Sequence, residues 1–488
     1  MPTNVFLQQL ITDPGRLTNL ADKAKETAFE HGLIMRTRET PNSSEVVTYI
    51  PFTLFPSPVP KADLLQAVAV HTHFNMLVDR VSQDPDFLEE ALGSTIQADD
   101  FTAKLFDIYR QVQKEGQIQS IVVGLNRSDY MLDMETNTKT CTLKQVEINT
   151  IAAAGFGVTD SLPKVHRSIL RSVGLVKESE CVQDSFKTPQ MCAALAKAWE
   201  LYGEQNAVIL FLVEDVQLSK LCHRYLEKEL WDRNVPVIRR TFDEVSRHGS
   251  LDGDKRLFIH SKEVAVVYYR YGYMPDHYNQ QRWAVRLMME QSLAVKCPNI
   301  STHLVGTKKV QQVLSRPGAL ERFFPNQPGA VEQIRAVFAG LYTLDMGPEG
   351  DRAVDMALEN PHNYVLKAQR EGGGNNIFGE DIVRVLQEVK RDQRRAAYIL
   401  MDRIRPKTVP NILLEKGLPL TLASVCYEIG VHGAYVRHRG QMVLNETVGV
   451  ILRTKSIEHD DSGVCNGMSV FDTPLIIPSL SQDFQSVS

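Results

Sequence analysis

The chain has 488 residues, 43% of them apolar, a length that allows about three domain-sized units and more than one core. Its 54 basic and 59 acidic residues are mixed along the sequence and sum to a formal charge of -5; this leaves no electrostatic footprint for nucleic acid or an anionic membrane, though small charged substrates remain open. Cys141, Cys181, Cys192, Cys222, Cys297, Cys426 and Cys465 are odd in number and form no CxxC pair, which argues against a disulfide framework and a zinc site, so reduced thiols are expected.

The opening stretch MPTNVFLQQLITDPGRL is broken by polar residues and Pro14-Gly15, so it does not read as a signal peptide. No apolar run is long enough to span a bilayer. A cytoplasmic protein is expected, or a secreted one if a leader has been removed. Residues 22–33 read as a helix, and residues 62–83 and 101–115 as amphipathic helices by their apolar spacing, with the proline-rich residues 51–60 as a loop.

Residues 120–130, SIVVGLNRSDY, have the pattern of a short buried strand that ends in polar residues. Arg127 then stands at a strand exit, either as a substrate-reading cation or as a surface ion-pair partner. Residues 142–151, TLKQVEINTI, alternate, which places Gln145, Glu147 and Asn149 on one strand face. A carboxylate and an amide two residues apart suit Mg²⁺, which takes oxygen ligands, but they equally suit a solvent face. The small residues IAAAGFG at 151–157 allow a close backbone approach.

A helix at 189–202, a strand at 207–213, a helix at 220–233 and a strand at 235–239 alternate as in a parallel-sheet unit, with boundaries expected near Gly203 and Ser301. Within it a strand at 264–269 runs into the aromatic loop RYGYMP. Lys308, at the start of a helical stretch, is either solvated or placed over a phosphate.

Residues 364–381, YVLKAQREGGGNNIFGED, read as a strand, a phosphate loop and a helix start. Gly372, Gly373 and Gly374 lack a Cβ, so backbone N–H groups there can approach a polyphosphate, while Lys367 adds a point charge and Glu371 a hard oxygen ligand. A charged helix is expected over 384–395, and short strands over 398–401 and 448–452. Residues 453–463, with Arg453, Lys455, Glu458, Asp460 and Asp461, read as a solvated loop or a lid that closes on charged ligands. The Ser- and Gln-rich tail from Pro478 is expected to be disordered.

Taken together, NRSDY, QVEINTI, YRYGYMP, GTKKVQQ, LKAQREGGGNN and LRTKSIEH resemble the eukaryotic glutathione synthetase family over nearly the whole chain up to about Asp472. The resemblance implies an α/β (α+β) ATP-grasp fold with an inserted parallel-sheet α/β substrate domain, mobile lid loops and a homodimer. The expected division is 1–203 for the N-terminal part of the main domain, 204–302 for the insert, 303–474 for the lid and C-terminal part, and 475–488 for the tail.

The same resemblance implies Mg²⁺ at Glu147, Asn149 and Glu371. It implies ATP at Glu147, Lys308, Lys367, Glu371, Gly372, Gly373, Gly374, Asn375, Asn376, Phe378, Met401, Asp402, Arg403, Ile404, Glu428, Lys455 and Asp461. Substrate positions are Arg127, Ala152, Ala154, Gln217, Ser219, His223, Arg270, Tyr273, Arg453, Val464 and Cys465, with Arg127, Lys367 and Arg453 as the catalytic set. The implied chemistry is attack of a substrate carboxylate on the γ-phosphate, then capture of the acyl phosphate by the amine of glycine. Closed loops would shield that acyl phosphate from water.

This chain departs from the family pattern in its substrate pocket. Ala152-Ala153-Ala154 stands where the family has Ser-Ala-Ser, and Gln217, Ser219 and His223 stand where it offers Glu, Asn and Gln to the γ-glutamyl head. Arg270-Tyr271-Gly272-Tyr273 replaces Arg-Asp-Gly-Tyr, and Val464-Cys465-Asn466 replaces Val-Ala-Ala. The expectation is a glutathione synthetase-like ligase with an altered pocket, beside two alternatives: an ordinary glutathione synthetase, or a non-catalytic or secreted ligand-binding paralogue.

Overall fold

The computed structural model describes residues 4–116, 118–134, 141–185, 187–216, 218, 220–459 and 467–479. Gln217, Ser219, Asp461, Val464 and Cys465 lie outside these residues, as does most of the expected tail, residues 480–488; its first residues, 475–477, are not disordered but belong to the strand Pro474–Ile477. Among the described residues the strands form three large sheets, each with its own apolar packing.

The longest pairing in the chain is the hairpin of Leu422–His438 and Gln441–Ser456. His438 pairs with Gln441, so the turn is only Arg439-Gly440, at φ 49° and 80°. Positive φ at both turn residues matches the right-handed twist of the flanking strands, which lets two long strands stay in register. The second strand continues through Arg453–Ser456, so these residues are sheet and not the start of a loop as their charge density suggests.

Around the hairpin a seven-stranded sheet assembles in the order Val409–Leu414, Phe52–Thr53, Val470–Asp472, Gln441–Ser456, Leu422–His438, Ile121–Met134, Cys141–Asn149. The proline-rich segment expected as a loop thus contributes a strand here, and a second one, Ser57–Pro60, pairs with Pro474–Ile477. Among the described residues that second strand has one partner only, the place in a sheet where prolines are tolerated.

Helix Lys61–Ser82 lies against the large sheet and buries Leu64, Ala67, Val70, Phe74, Leu77 and Val81 at helical spacing. Gly124, on Ile121–Met134, faces its cross-strand partner Tyr435, whose ring occupies the space a Cβ would need. Gly124→Ala should therefore destabilise the fold by ~1–3 kcal/mol through overpacking. The check is a lower urea midpoint at an unchanged m-value; an unchanged midpoint would mean that the Tyr435 ring moves aside freely.

The second sheet is parallel at its centre, with Val237–Arg240, Val208–Leu212, Lys262–Tyr269 and Val295–Cys297, and continues antiparallel through Leu257–Ile259 and Gly249–Leu251. Val208–Leu212 is buried on both faces: Ile209 and Phe211 pack toward helices Lys187–Tyr202 and Lys220–Asp232, while Val208, Leu210 and Leu212 pack with Phe242, Val285 and Met289. Two covered faces explain why the strand is apolar throughout and does not alternate.

The third sheet is antiparallel, in the order Leu341–Thr343, Tyr398–Asp402, Tyr364–Ala368, Asn376–Phe378, and is covered by helices Pro348–Glu359 and Glu380–Val389. The charged helix expected over 384–395 ends at Val389, and Asp392 caps a separate short turn, Gln393–Ala397. The six cysteines among the described residues are all free. No helix among the described residues is long and apolar enough to cross a membrane.

Candidate active site

A single extra residue decides which side chains meet on the large sheet. Asn149 pairs with Arg127 and Glu147 with Asp129, but Gln145 pairs with Tyr130, so Val146 is a bulge. Paired residues share a face and neighbours alternate. Glu147 and Asn149 therefore project with Arg127 and Asp129, whereas Gln145 goes to the other side, where its Nε2 donates to Ser128 Oγ at 3.4 Å. The expected common face of Gln145 with Glu147 is corrected accordingly. Arg127 is also not at a strand exit, because the strand runs on to Met134. Farther along the same face, Glu428 pairs with Arg453 and Cys426 with Lys455.

Asp129 organises these charges, and it is fully buried. Its carboxylate accepts from Arg127 Nε at 2.7 Å and Nη2 at 2.9 Å, from Arg453 Nη2 at 2.7 Å, and from Asn149 Nδ2 at 2.9 Å. Arg453 Nη2 also donates to Glu428 Oε2 at 2.6 Å. Burial works to lower the Arg453 pKa, but Asp129, Glu428 and Glu147 overcome it and raise it, so the guanidinium stays charged. The sequence reading missed Asp129; its place two residues after Arg127 on one strand was the available signal.

A second cluster adjoins the first through Glu147. Thr307 caps the helix Lys308–Leu314 and so places Lys308 in its first turn. Lys308 Nζ lies 3.2 Å from Glu147 Oε2 and 3.2 Å from Glu371 Oε1. Lys367 Nζ is 3.8 Å from Glu147 Oε2 and donates to the Val146 carbonyl, in the bulge, at 2.9 Å. Burial would raise the Glu147 pKa, yet Lys308, Lys367 and two arginines hold it low. Glu371 is the reverse: burial, with Glu147 nearby, pushes it up to about 7.

The two carboxylates converging on one ammonium test the fit of this site to a divalent cation. Their oxygens are already arranged around a positive charge, and Asn149, whose Nδ2 is engaged by Asp129, has an amide oxygen as third donor. The donor set is hard oxygen, as Mg²⁺ requires.

A raised carboxyl pKa means that the folded protein binds more protons than the unfolded one, so stability falls as pH rises from the unfolded value toward about 7. In metal-free protein, Glu371→Gln should remove this loss. The melting temperature of the parent should drop relative to E371Q between about pH 5 and 8. Parallel profiles would show that Glu371 is already ionised at acid pH.

Lys367 also opens onto a cleft of about 420 Å³ between the third sheet and the large one. Asn376, Phe378, Met401, Asp402, Arg403, Ile404, Glu428 and Lys455, all expected at ATP positions, line it. The walls divide into apolar and charged parts. Val146, Val365, Phe378, Met401 and Ile404 give the apolar part, with the Arg403 guanidinium 5.5 Å from the Phe378 ring, and Lys367 and Lys455 give charge. Residues 369–375 bridge two strands of the third sheet, with Gly372 at φ 80° and Gly374 at φ 92°. Only glycine adopts such values without strain. Asn375 Nδ2 closes the turn by donating to the Gly372 carbonyl at 2.8 Å, and Gly373 lies between the two positive-φ glycines.

On the other side of Arg127 lies the loop of small residues. Its backbone carbonyls are its contacts: Ala153 O accepts from Arg270 Nη1 at 2.7 Å, and Ala154 O accepts from Arg127 Nη1 at 3.4 Å and from His432 Nε2 at 2.9 Å. Ala152 carries a positive φ of 49°. Arg270 Nε donates to His223 Nε2 at 3.3 Å. His223 is 3% exposed, its Nδ1 is without a partner, and burial with the fields of Arg270 and Arg239 holds its pKa well below the ordinary value. Tyr273 packs edge-on against His277, and its ring lies 3.9 Å from the point where Gly372 would carry a Cβ. The glycine turn thus reaches the aromatic loop.

Comparison with known proteins adds a family to this geometry. The family described as eukaryotic glutathione synthase, ATP binding domain, matches residues 14–476. Glutathione synthetase of Homo sapiens is 50% identical over 465 residues, covering 95% of this chain and 98% of that protein. The chloroplastic glutathione synthetase of Arabidopsis thaliana is 39% identical over 457 residues, covering 92% of this chain and 83% of that protein. Among solved structures, a glutathione synthetase like-effector from Globodera pallida, in its apo form, is similar with a TM-score of 0.76 and 26% identity, covering 95% of this chain and 98% of that one.

Proposed function

Because the chain belongs to the eukaryotic glutathione synthetase family of ATP-dependent ligases, with its mixed α/β ATP-grasp fold, we propose that it joins the carboxylate of a γ-glutamylcysteine-type peptide to an amine through an acyl phosphate, with a donor pocket altered from the family pattern. The observation that carries this reading is the contiguity of two charge clusters on one sheet face. Arg127 and Arg453, fixed by Asp129, stand beside Lys308 and Lys367, which are fixed by Glu147, and Lys367 opens into the cleft.

In this reading the cleft takes the nucleotide, and Lys367 and Lys455 meet its phosphates. Glu147, Asn149 and Glu371 would hold Mg²⁺, which supplies charge neutralisation on the phosphates. Arg127 and Arg453 orient the donor carboxylate and offset the charge that builds up as its oxygen bonds to the γ-phosphorus and the bond to ADP breaks. The amine then attacks the acyl carbon, phosphate leaves and the amine proton passes to solvent. The glycine turn and Tyr273 exclude water while the acyl phosphate exists. The altered pocket is supported by His223, neutral and buried against Arg270, and by Ala152 and Ala154, whose side chains offer no hydrogen bond. The division at 203 and 302 and a homodimer belong to the same proposal.

The experiment is ADP release from Mg-ATP with γ-glutamylcysteine and glycine, then with a panel of other amino acids and amines. Weak glycine-dependent turnover with faster turnover on another acceptor or donor is expected. Rapid turnover with glycine would make the enzyme an ordinary glutathione synthetase, and silence across donors and acceptors would overturn the ligase reading.

A further inference from the structure

Beyond His223, the helix Lys220–Asp232 presents a set of charges that the chemistry above does not use. Lys220, His223, Arg224 and Glu227 are spaced by three, four and seven residues and share one stripe. Glu227, 2% exposed, is clamped between Arg224 Nη1 and Arg239 Nε, each at 2.6 Å. The helix packs on the strand Ile34–Arg36, and its Tyr225 hydroxyl donates to the Gly32 carbonyl at 3.3 Å. Arg36, 7% exposed, gives its guanidinium to two neutral oxygens, Pro41 O at 3.0 Å and Ser44 Oγ at 2.8 Å.

These groups do not neutralise one another. Among the described residues, Arg36, Lys220, Arg224, Arg239 and Arg270 face two carboxylates, Glu227 in its clamp and Glu214 in the field of Arg270. Burial, then the fields of Arg36, Arg239 and Arg224, lower the Lys220 pKa, with Glu227 working against them. His223 bridges from this cluster to Arg270, and its buried Nδ1 still lacks a partner. An anion resolves both features, whereas a free ammonium would meet cations and a neutral imidazole.

We propose that Arg36, Lys220, Arg224 and Arg239 form a carboxylate-binding subsite that extends the donor pocket past Arg270 and His223, so that the preferred donor is a cysteinyl peptide whose far end is a carboxylate with no ammonium beside it. This rests on the proposal that Arg270 marks the donor pocket.

The test compares N-glutaryl-cysteine, which is γ-glutamylcysteine without its amino group, with γ-glutamylcysteine itself. Binding is measured by calorimetry on the full chain with Mg²⁺ and a non-hydrolysable ATP analogue, and turnover as ADP release. N-glutaryl-cysteine is expected to bind about tenfold tighter. Lys220→Glu should erase that preference, and Lys220→Gln should reduce it part way, with the affinity for the ATP analogue unchanged in both. Equal or tighter binding of γ-glutamylcysteine, or a preference indifferent to both substitutions, overturns the subsite. If that happens while ADP release with γ-glutamylcysteine and an amine persists, the ligase reading stands and only the subsite falls. Binding of neither peptide, with no ADP release, overturns both.

Discussion

Asp129→Asn is expected to lower ADP release by about 10²–10³-fold and to cost ~3–5 kcal/mol of stability, more than any other single change on the sheet face. The carboxylate is fully buried and receives both arginines and Asn149, so it is the shared counter-charge of Arg127 and Arg453. An asparagine of the same shape offers one acceptor oxygen and turns two N–H donors toward guanidinium groups. One arginine then loses its grip and leaves a buried charge without compensation. Asp129 touches no part of the cleft, so the KM for ATP should change little while kcat falls and the KM for the donor rises. A rise confined to the ATP KM would show that the arginines do not depend on Asp129.

Lys308→Met is the second large effect. It leaves Glu147 and Glu371 facing each other with Lys367, 3.8 Å from Glu147, as the remaining ammonium beside the fields of Arg127 and Arg453. Metal-free protein should lose ~3–5 kcal/mol at pH 8, where both carboxylates would carry charge, and less at pH 6, because Glu371 is already pushed up to about 7. Millimolar Mg²⁺ should raise the melting temperature of the variant more than that of the parent, since the ion takes over what the ammonium did. The KM for ATP should rise about tenfold or more. A melting temperature insensitive to Mg²⁺ in both proteins would remove the two carboxylates from the metal proposal.

Much of this site was legible in local sequence. Lys367, Glu371 and the glycines stand in one run, and strand periodicity was enough to put Glu147 and Asn149 side by side. The parallel sheet of the insert was legible because its strands are apolar throughout and alternate with helices. What local sequence did not carry was pairing. Whether Gln145 shares a face with Glu147 depends on the partner strand, since a bulge exists only relative to the strand it faces. Arg453 and Lys455 carry the charge of a loop, but the long hairpin keeps them in the sheet. The two short strands in the proline-rich segment likewise arise from distant partners near the C-terminus and override the local bias of proline. Asp129 looked like one more polar residue at a strand end until cross-strand neighbours gave it four donor contacts.

The loop of small residues has a consequence for how such a pocket changes over time. Arg127 and Arg270 are gripped there by carbonyl oxygens of Ala153 and Ala154, and every amino acid supplies a carbonyl. Side chains at 152 and 154 can therefore drift without disturbing the arginines, provided the backbone keeps its turn and position 152 keeps its positive φ. The machinery that moves phosphate is thereby insulated from the surface that chooses the donor, and a lineage can experiment with substrates while every intermediate still handles ATP.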